Sequence, residues 1–196
     1  YQLDQIKRRP FMTTVLATTP TSGGAPVLHR LSIQPLTAEA FARFGDVIES
    51  AGHTPIQINH GMTERYHALA HVDTGGAEGH ALINLFHALP YELPLRLEEM
   101  ERHPLGSQAF VPLQETPFIV VVAAAGDSVQ PCDLQAFVTN GRQGVNYHRG
   151  VWHHSLIALE SSARFIVVDR GGPGHNCDVV AIGDGSRVLL ELPDAG

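Results

Sequence analysis

Phe118-Ile119-Val120-Val121-Val122-Ala123-Ala124-Ala125 is the longest apolar run in the chain. Its eight residues suit one strand and fall far short of the ~18 needed to cross a bilayer, which excludes membrane insertion. The same texture repeats on both sides in short stretches rich in β-branched and aromatic residues and bounded by turn residues. Downstream these are Leu134 to Thr139, His154 to Glu160, Arg164 to Asp169, Val179 to Ile182 and Arg187 to Leu192; upstream they are Gln108 to Leu113, Ala81 to His87 and Asp46 to Glu49. Beside these nine pieces stands one clear helix, Leu36 to Gly45, with Thr37 as N-cap, Leu36 and Phe41 as a hydrophobic staple and Gly45 as the stop. The balance predicts a mostly β fold, an antiparallel barrel or sandwich with a short N-terminal helix.

The length of 196 residues fits one such domain, and 43% hydrophobic against 17% charged residues supplies a core. A formal charge of −7 has the wrong sign for collecting phosphates, so nucleic acid is not expected as a partner. Cys132 and Cys177 match no disulfide or zinc spacing and read as reduced thiols of a cytoplasmic protein. Lys7, Arg8 and Arg9 precede a Thr- and Pro-broken stretch rather than the apolar core of a secretory signal. Residues 1–30 are expected to form a mobile tail, of which 1–11, preceding Met12, are either expression-derived or upstream sequence; residues 31–196 are expected to form a single domain.

Several common chemistries drop out. Gly171-Gly172-Pro173-Gly174 follows a strand as a dinucleotide loop would, but Cys177 stands where the third glycine belongs, leaving a structural turn. Phosphate-loop, nucleophile-elbow and H-E-x-x-H patterns are absent from the sequence. Twelve histidines point instead to metal or proton-transfer chemistry. The densest stretch runs from Thr139 to His154 and includes Asn140, Asn146, Tyr147, His148, Arg149, Gly150, His153 and His154. A positive φ at Gly150 would let His148 and His153 approach one pocket, while His154, adjacent to His153, should face away.

A second cluster, Glu98 to Phe110, carries Glu101 and His103 on one strand face, with Gln108 re-entering after the Pro104 to Gly106 turn. Leu93, Leu95 and Leu97 share the parity of Glu99, Glu101 and His103, which predicts an apolar face that turns polar at a barrel mouth. Glu64-Arg65-Tyr66-His67 reads as helix-surface polarity or, alternatively, as an anion-binding Arg65.

The two clusters resemble the paired motifs of cupins: Glu101-x-His103-x4-Gln108 stands where His-x-His-x4-Glu is expected, and Gly150-x-x-His153 matches the second motif. Asn59-His60-Gly61 with Glu64 to His67, Glu101 to Phe110, Thr139 to His154, and Asp169 to Gly172 with Asn176-Cys177-Asp178 look like the ureidoglycolate lyase family over roughly residues 31–185. The resemblance implies a cupin-like double-stranded β-helix, a homodimer, and cleavage of (S)-ureidoglycolate to glyoxylate and urea in allantoin and purine nitrogen catabolism. It implies no organic cofactor and a divalent metal, nickel first and zinc or manganese next, on His103, Gln108 and His153.

Cleaving a carbinolamine needs a base for the hydroxyl proton and an acid for the departing nitrogen. His148 and His153 are the expected proton-transfer or ligand pair, with Glu101 and His103 completing the pocket wall. Tyr147 and Asn140 are expected on the ureido group, and Arg65, Arg149 or a bound cation on the carboxylate. The competing readings are a metal-dependent cupin oxygenase or isomerase and a non-catalytic small-molecule-binding cupin. The residues leave open whether nitrogen leaves as urea or ammonia.

Overall fold

A computed structural model describes residues 27–159, 161–182 and 187–191. The first half of the chain runs β1 (Leu28–Pro35), α1 (Ala38–Phe41), β2 (Gly45–Ile48), β3 (Ile56–Ile58), β4 (Thr63–Arg65), β5 (His80–Ala88), β6 (Leu95–Leu97) and β7 (Glu99–Arg102). It continues through β8 (Gln108–Pro112), β9 (Phe118–Ala123), β10 (Gln135–Val138), β11 (Gly144–Tyr147), β12 (Trp152–His153) and β13 (Ile157–Ala158). The last strands are β14 (Ala163–Gly171), β15 (Asp178–Ala181) and β16 (Arg187–Glu191).

These strands form a nine-stranded sheet, β15-β7-β12-β9-β10-β1-β16-β6 with β13 beside β9, and a five-stranded sheet, β2-β11-β8-β14-β5. The curled sheets pack as a cupin-like β-sandwich, as the sequence predicts. Strand β9 is buried along its whole length. Its Phe118, Val120 and Val122 enter the core between the sheets with Phe110, Val145 and Phe165, while Ile119, Val121 and Ala123 pack against Trp152, Met100 and Leu190 on the other face. Burial on both faces is why this strand is a continuous apolar run rather than an alternating one.

Thr37 caps α1, accepting the Ala40 N–H at 3.2 Å. Leu36 and Phe41 both sink into the inter-sheet core. Gly45 is not the helix stop expected of it: it opens β2, where a Cβ would lie 2.0 Å from the Asn146 carbonyl oxygen. Its small size permits close strand contact rather than a left-handed cap.

Other expectations change in detail. The expected tail boundary at residue 30 falls inside β1, and residues 1–26 lie outside those described. Strand β1 runs parallel to both β10 and β16 within an otherwise antiparallel sandwich. Glu64 and Arg65 belong to the β3–β4 ribbon rather than a helix. The stretch from His154 to Glu160 yields only the short β13, preceded by β12. The run from Leu93 to His103 is not one strand: Leu97 and Met100 both enter the same core, so the facing reverses between β6 and β7. Glu101 and His103 nevertheless end up side by side.

Candidate active site

The site forms where the inner faces of the two sheets meet. On β12, Trp152 turns into the outer core and His153 turns inward, in register with Glu101 on β7. Opposite them, Tyr147 on β11 is in register with Gln108 on β8. The Tyr147 ring stacks on His153 with centroids 4.4 Å apart and planes 13° from parallel. His103 lies beside it, ring centroids 5.2 Å apart. One donor atom each from Glu101, His103 and His153 lies within 4.8 Å of the others, a set able to hold a metal ion.

The cluster is rich in unanswered polar atoms. His153 Nε2, His103 Nε2, Gln108 Oε1 and the Tyr147 hydroxyl are buried without a hydrogen-bond partner. His103 Nδ1 lies 2.6 Å from the Asn176 carbonyl oxygen. Because a carbonyl only accepts, Nδ1 is the donor of this bond, which leaves Nε2 as the ring atom that faces the site. Burial pushes the His153 imidazole down to about 3, so it is neutral at physiological pH. Burial raises the Glu101 carboxyl above its ordinary value, and it raises the Tyr147 phenol further, which keeps that hydroxyl a proton donor. One environment thus holds an imidazole neutral and biases a carboxyl toward its protonated form, the separation that acid–base chemistry uses.

Two openings reach the cluster. A cavity of about 700 Å³ is lined by Glu101, Gln108, Phe86, Phe110 and Tyr91. Another, of about 510 Å³, is lined by His103, Gln108, Phe86, Asp169, Arg170 and Cys177. They share Phe86 and Gln108, so Gln108 faces both openings.

A family model described as ureidoglycolate lyase matches residues 28–189. The chain belongs to the ureidoglycolate lyase family. It is 54% identical over 164 residues to the ureidoglycolate lyase of Pseudomonas aeruginosa (strain LESB58), covering 84% of this chain and 97% of that one. The ureidoglycolate lyase of Stutzerimonas stutzeri (strain A1501) is 52% identical over 84% of this chain and 96% of its own. That of Azotobacter vinelandii (strain DJ) is 51% identical over 83% of this chain and 98% of its own.

Within this ureidoglycolate lyase fold the expected site residues separate into two groups. Glu101, His103, Gln108, Tyr147 and His153 converge. His148 does not join them: Gly150 has the expected positive φ of 76°, yet His148 Nε2 lies 3.2 Å from Asp46, which also accepts from the Asn146 side chain. Asn146 and Tyr147 alternate across β11, so His148 shares the face away from His153. His154 also points elsewhere, edge-on to Tyr91 at 6.2 Å and with Nδ1 2.8 Å from the Ser155 carbonyl.

The expected substrate-binding residues are engaged outside the cluster. Arg149 pairs with Asp73 through Nε at 2.8 Å and through Nη2. Arg65 lies on the exposed β3–β4 ribbon, 2.8 Å from His67 Nδ1. Asn140 accepts the Arg142 N–H in a turn that Gln143 closes. Gln108, expected as a metal ligand, gives its amide nitrogen to Asp169 at 2.8 Å. Asp169, Arg170 and Asn176 are not singled out as site components by residue type and spacing, although all three fall in the motif that carries the family resemblance. Arg170 lines the second cavity; Nε and Nη2 donate to the Thr74 and Pro173 carbonyls while Nη1 is buried without a partner.

Proposed function

We propose that this chain cleaves (S)-ureidoglycolate to glyoxylate and urea in allantoin and purine nitrogen catabolism. The observation that carries the reading is the set of buried, unpartnered polar atoms on His103, His153, Gln108 and Tyr147, gathered beside the Glu101 carboxylate, in a chain of this lyase family. His153, held neutral by its burial, accepts the carbinol hydroxyl proton on Nε2, which is buried without a partner. As the C–N bond breaks, the electron pair of the O–H bond becomes the glyoxylate C=O and the pair of the C–N bond leaves on nitrogen. Glu101, biased toward its protonated form by burial, returns a proton to that nitrogen and urea departs. Tyr147 donates to the ureido carbonyl. Arg170, the only Lys or Arg among the described residues lining the two cavities, supplies positive charge for the carboxylate.

A divalent metal fits the donor set. Two imidazoles and a carboxylate favour nickel, zinc or manganese over calcium, and the Asn176 carbonyl fixes the His103 tautomer that ligation requires. Where Glu101, His103 and His153 hold such a metal, their lone pairs are engaged by it, and it would take over activation of the hydroxyl by Lewis-acid polarisation of the substrate oxygen. The same donor set serves oxygenases, but family membership favours the lyase.

Purified protein without an organic cofactor is expected to release glyoxylate and urea in equal amounts. Ammonia in place of urea would overturn the lyase form, and no glyoxylate would overturn the activity. Exhaustive chelation is expected to abolish turnover, with nickel, zinc or manganese restoring it; full turnover after chelation would leave the triad to proton transfer alone.

The protein is proposed to act as a homodimer. Strand β5 is one of the two edge strands of the five-stranded sheet, with Ile83 77% and Leu85 66% exposed on the face away from the cavities. Packing of this outer β5 face against its copy across a two-fold axis would cover these residues in both copies. Light scattering should give twice the monomer mass, and Ile83→Asp with Leu85→Lys should give the monomer; a monomeric wild type would overturn the dimer. No helix among the described residues is long and apolar enough to cross a membrane. Both cysteines are free, in keeping with the reducing cytoplasm proposed as its location.

A further inference from the structure

We infer that Asp169, supported by Asn84, positions Gln108 so that its side-chain carbonyl oxygen receives the N–H donors of a ureido group, selecting ureido substrates over plain carboxylates. This rests on the lyase reading above. Gln108 Nε2 donates to Asp169 Oδ1 at 2.8 Å, and Asn84 Nδ2 donates to Asp169 Oδ2 at 2.8 Å. Amide orientation is ordinarily ambiguous, but a carboxylate only accepts, so both amides must turn nitrogen toward it. The three residues sit on neighbouring strands β8, β14 and β5. Gln108 Oε1 is thereby directed away from Asp169, toward the β11 side, where Tyr147 is its cross-strand neighbour.

That oxygen is buried with no donor, as is the Tyr147 hydroxyl. Leaving a buried carbonyl unanswered is costly, so an unfilled acceptor between the two cavities marks where a donor binds. A ureido group presents N–H donors on two nitrogens and one carbonyl acceptor. Gln108 Oε1 answers the former and the Tyr147 hydroxyl the latter. Plain carboxylates such as glyoxylate leave Gln108 unanswered, which is the kind of mismatch that gives strong discrimination. Asp169 acts through Gln108 and is a positioning residue.

Asp169→Asn is expected to reverse this polarity. The substituted amide would accept from Asn84 through its oxygen and donate nothing that Gln108 Nε2 can use, so Gln108 would turn its own oxygen to the new NH₂ and its nitrogen into the cavity, opposing the ureido donors. Gln108→Glu fails differently, by setting two carboxylates face to face. The pair Gln108→Glu with Asp169→Asn restores the pattern, since the new amide donates to the new carboxylate, whose second oxygen again faces the cavity as an acceptor.

Calorimetric titration with ureidoacetate, which carries the ureido and carboxylate groups but no hydroxyl to deprotonate, is compared with glyoxylate. Each single variant should bind ureidoacetate about tenfold more weakly while glyoxylate affinity stays within about twofold, and the double variant should regain most of the loss. Gln108→Leu, which removes the acceptor without adding charge, should show the same selective loss should Asp169→Asn fail to fold. Equal weakening of both ligands, a double variant no better than the singles, or weaker binding of added divalent metal by the Gln108 variants than by the wild type would overturn the assignment. The titration reads selectivity without turnover, so a wild type that releases no glyoxylate defeats the lyase reading while an unmoved affinity ratio defeats this one.

Discussion

His153→Gln is expected to lower kcat by about 10²–10⁴-fold, the range for removing one positioned acid–base group. Glutamine keeps much of the side-chain volume against Tyr147, so the loss should fall on rate more than on folding. His148→Gln should lose far less, because His148 meets Asp46 on the face away from His153. His154→Gln should also retain turnover, since its ring is directed to Tyr91 and Ser155. Steady-state rates for the three variants decide this; an inactive His148→Gln beside an active His153→Gln would move the reacting centre to the Asp46 side of the sheet.

The same substitution carries a pH signature. Folding holds the His153 pKa near about 3, below the 6.5 of a free imidazole. The folded state therefore binds fewer protons than the unfolded state between those values, and stability contributed by this group falls as pH drops through that window. The lowered carboxyls of Asp73, held by Arg149, and Asp178, held by Arg102, also lose their contributions on acidification. Comparison of wild type with His153→Gln isolates the histidine: the wild type should lose more stability over the window than the variant.

How much of this was legible depended on how far along the chain the deciding contact lay. Thr37 and its helix could be read because the cap bond spans three residues. Strand β9 was legible because burial on both faces leaves an unmistakable apolar run. The shared side of Glu101 and His103 followed from period two, though their Leu93 to Leu97 extension did not, because the facing reverses between β6 and β7. His148 was misplaced for a related reason: Gly150 does turn the chain, but the side of the sheet is set earlier, at Asn146 and Tyr147, by pairing with β2 and β8.

The polarity of Gln108 was beyond local pattern altogether. Its partner Asp169 is 61 residues away, and the second lock, Asn84, is 85 residues from Asp169. Such contacts appear only once β5, β8 and β14 lie side by side. The parallel placement of β1 is equally silent in sequence, since alternation describes a strand's faces and not its direction.

Phe137→Ala is expected to be strongly destabilising, costing about 3–5 kcal/mol for a large-to-small substitution at a fully buried aromatic. Phe137 lies edge-on to Phe41 with centroids 5.6 Å apart and packs against Phe44 at 6.0 Å, so it joins β10 to α1 and to the segment entering β2. These neighbours are themselves rings, and a rigid aromatic cluster collapses poorly into a void. For a chain of this size the loss corresponds to a melting temperature lower by roughly 6–20 °C. Phe41 also touches Tyr147 at 6.2 Å, and Tyr147 stacks on His153, so the same cluster supports one wall of the site. Phe110, edge-on to Tyr147 at 5.8 Å, holds that wall from the other side. Turnover measured well below the new melting temperature should therefore fall only a few-fold, in contrast to His153→Gln. A melting temperature unchanged within about 2 °C would show that Phe137 is not a keystone of the core, and a rate loss as large as that of His153→Gln would show that the aromatic cluster positions the reacting groups directly.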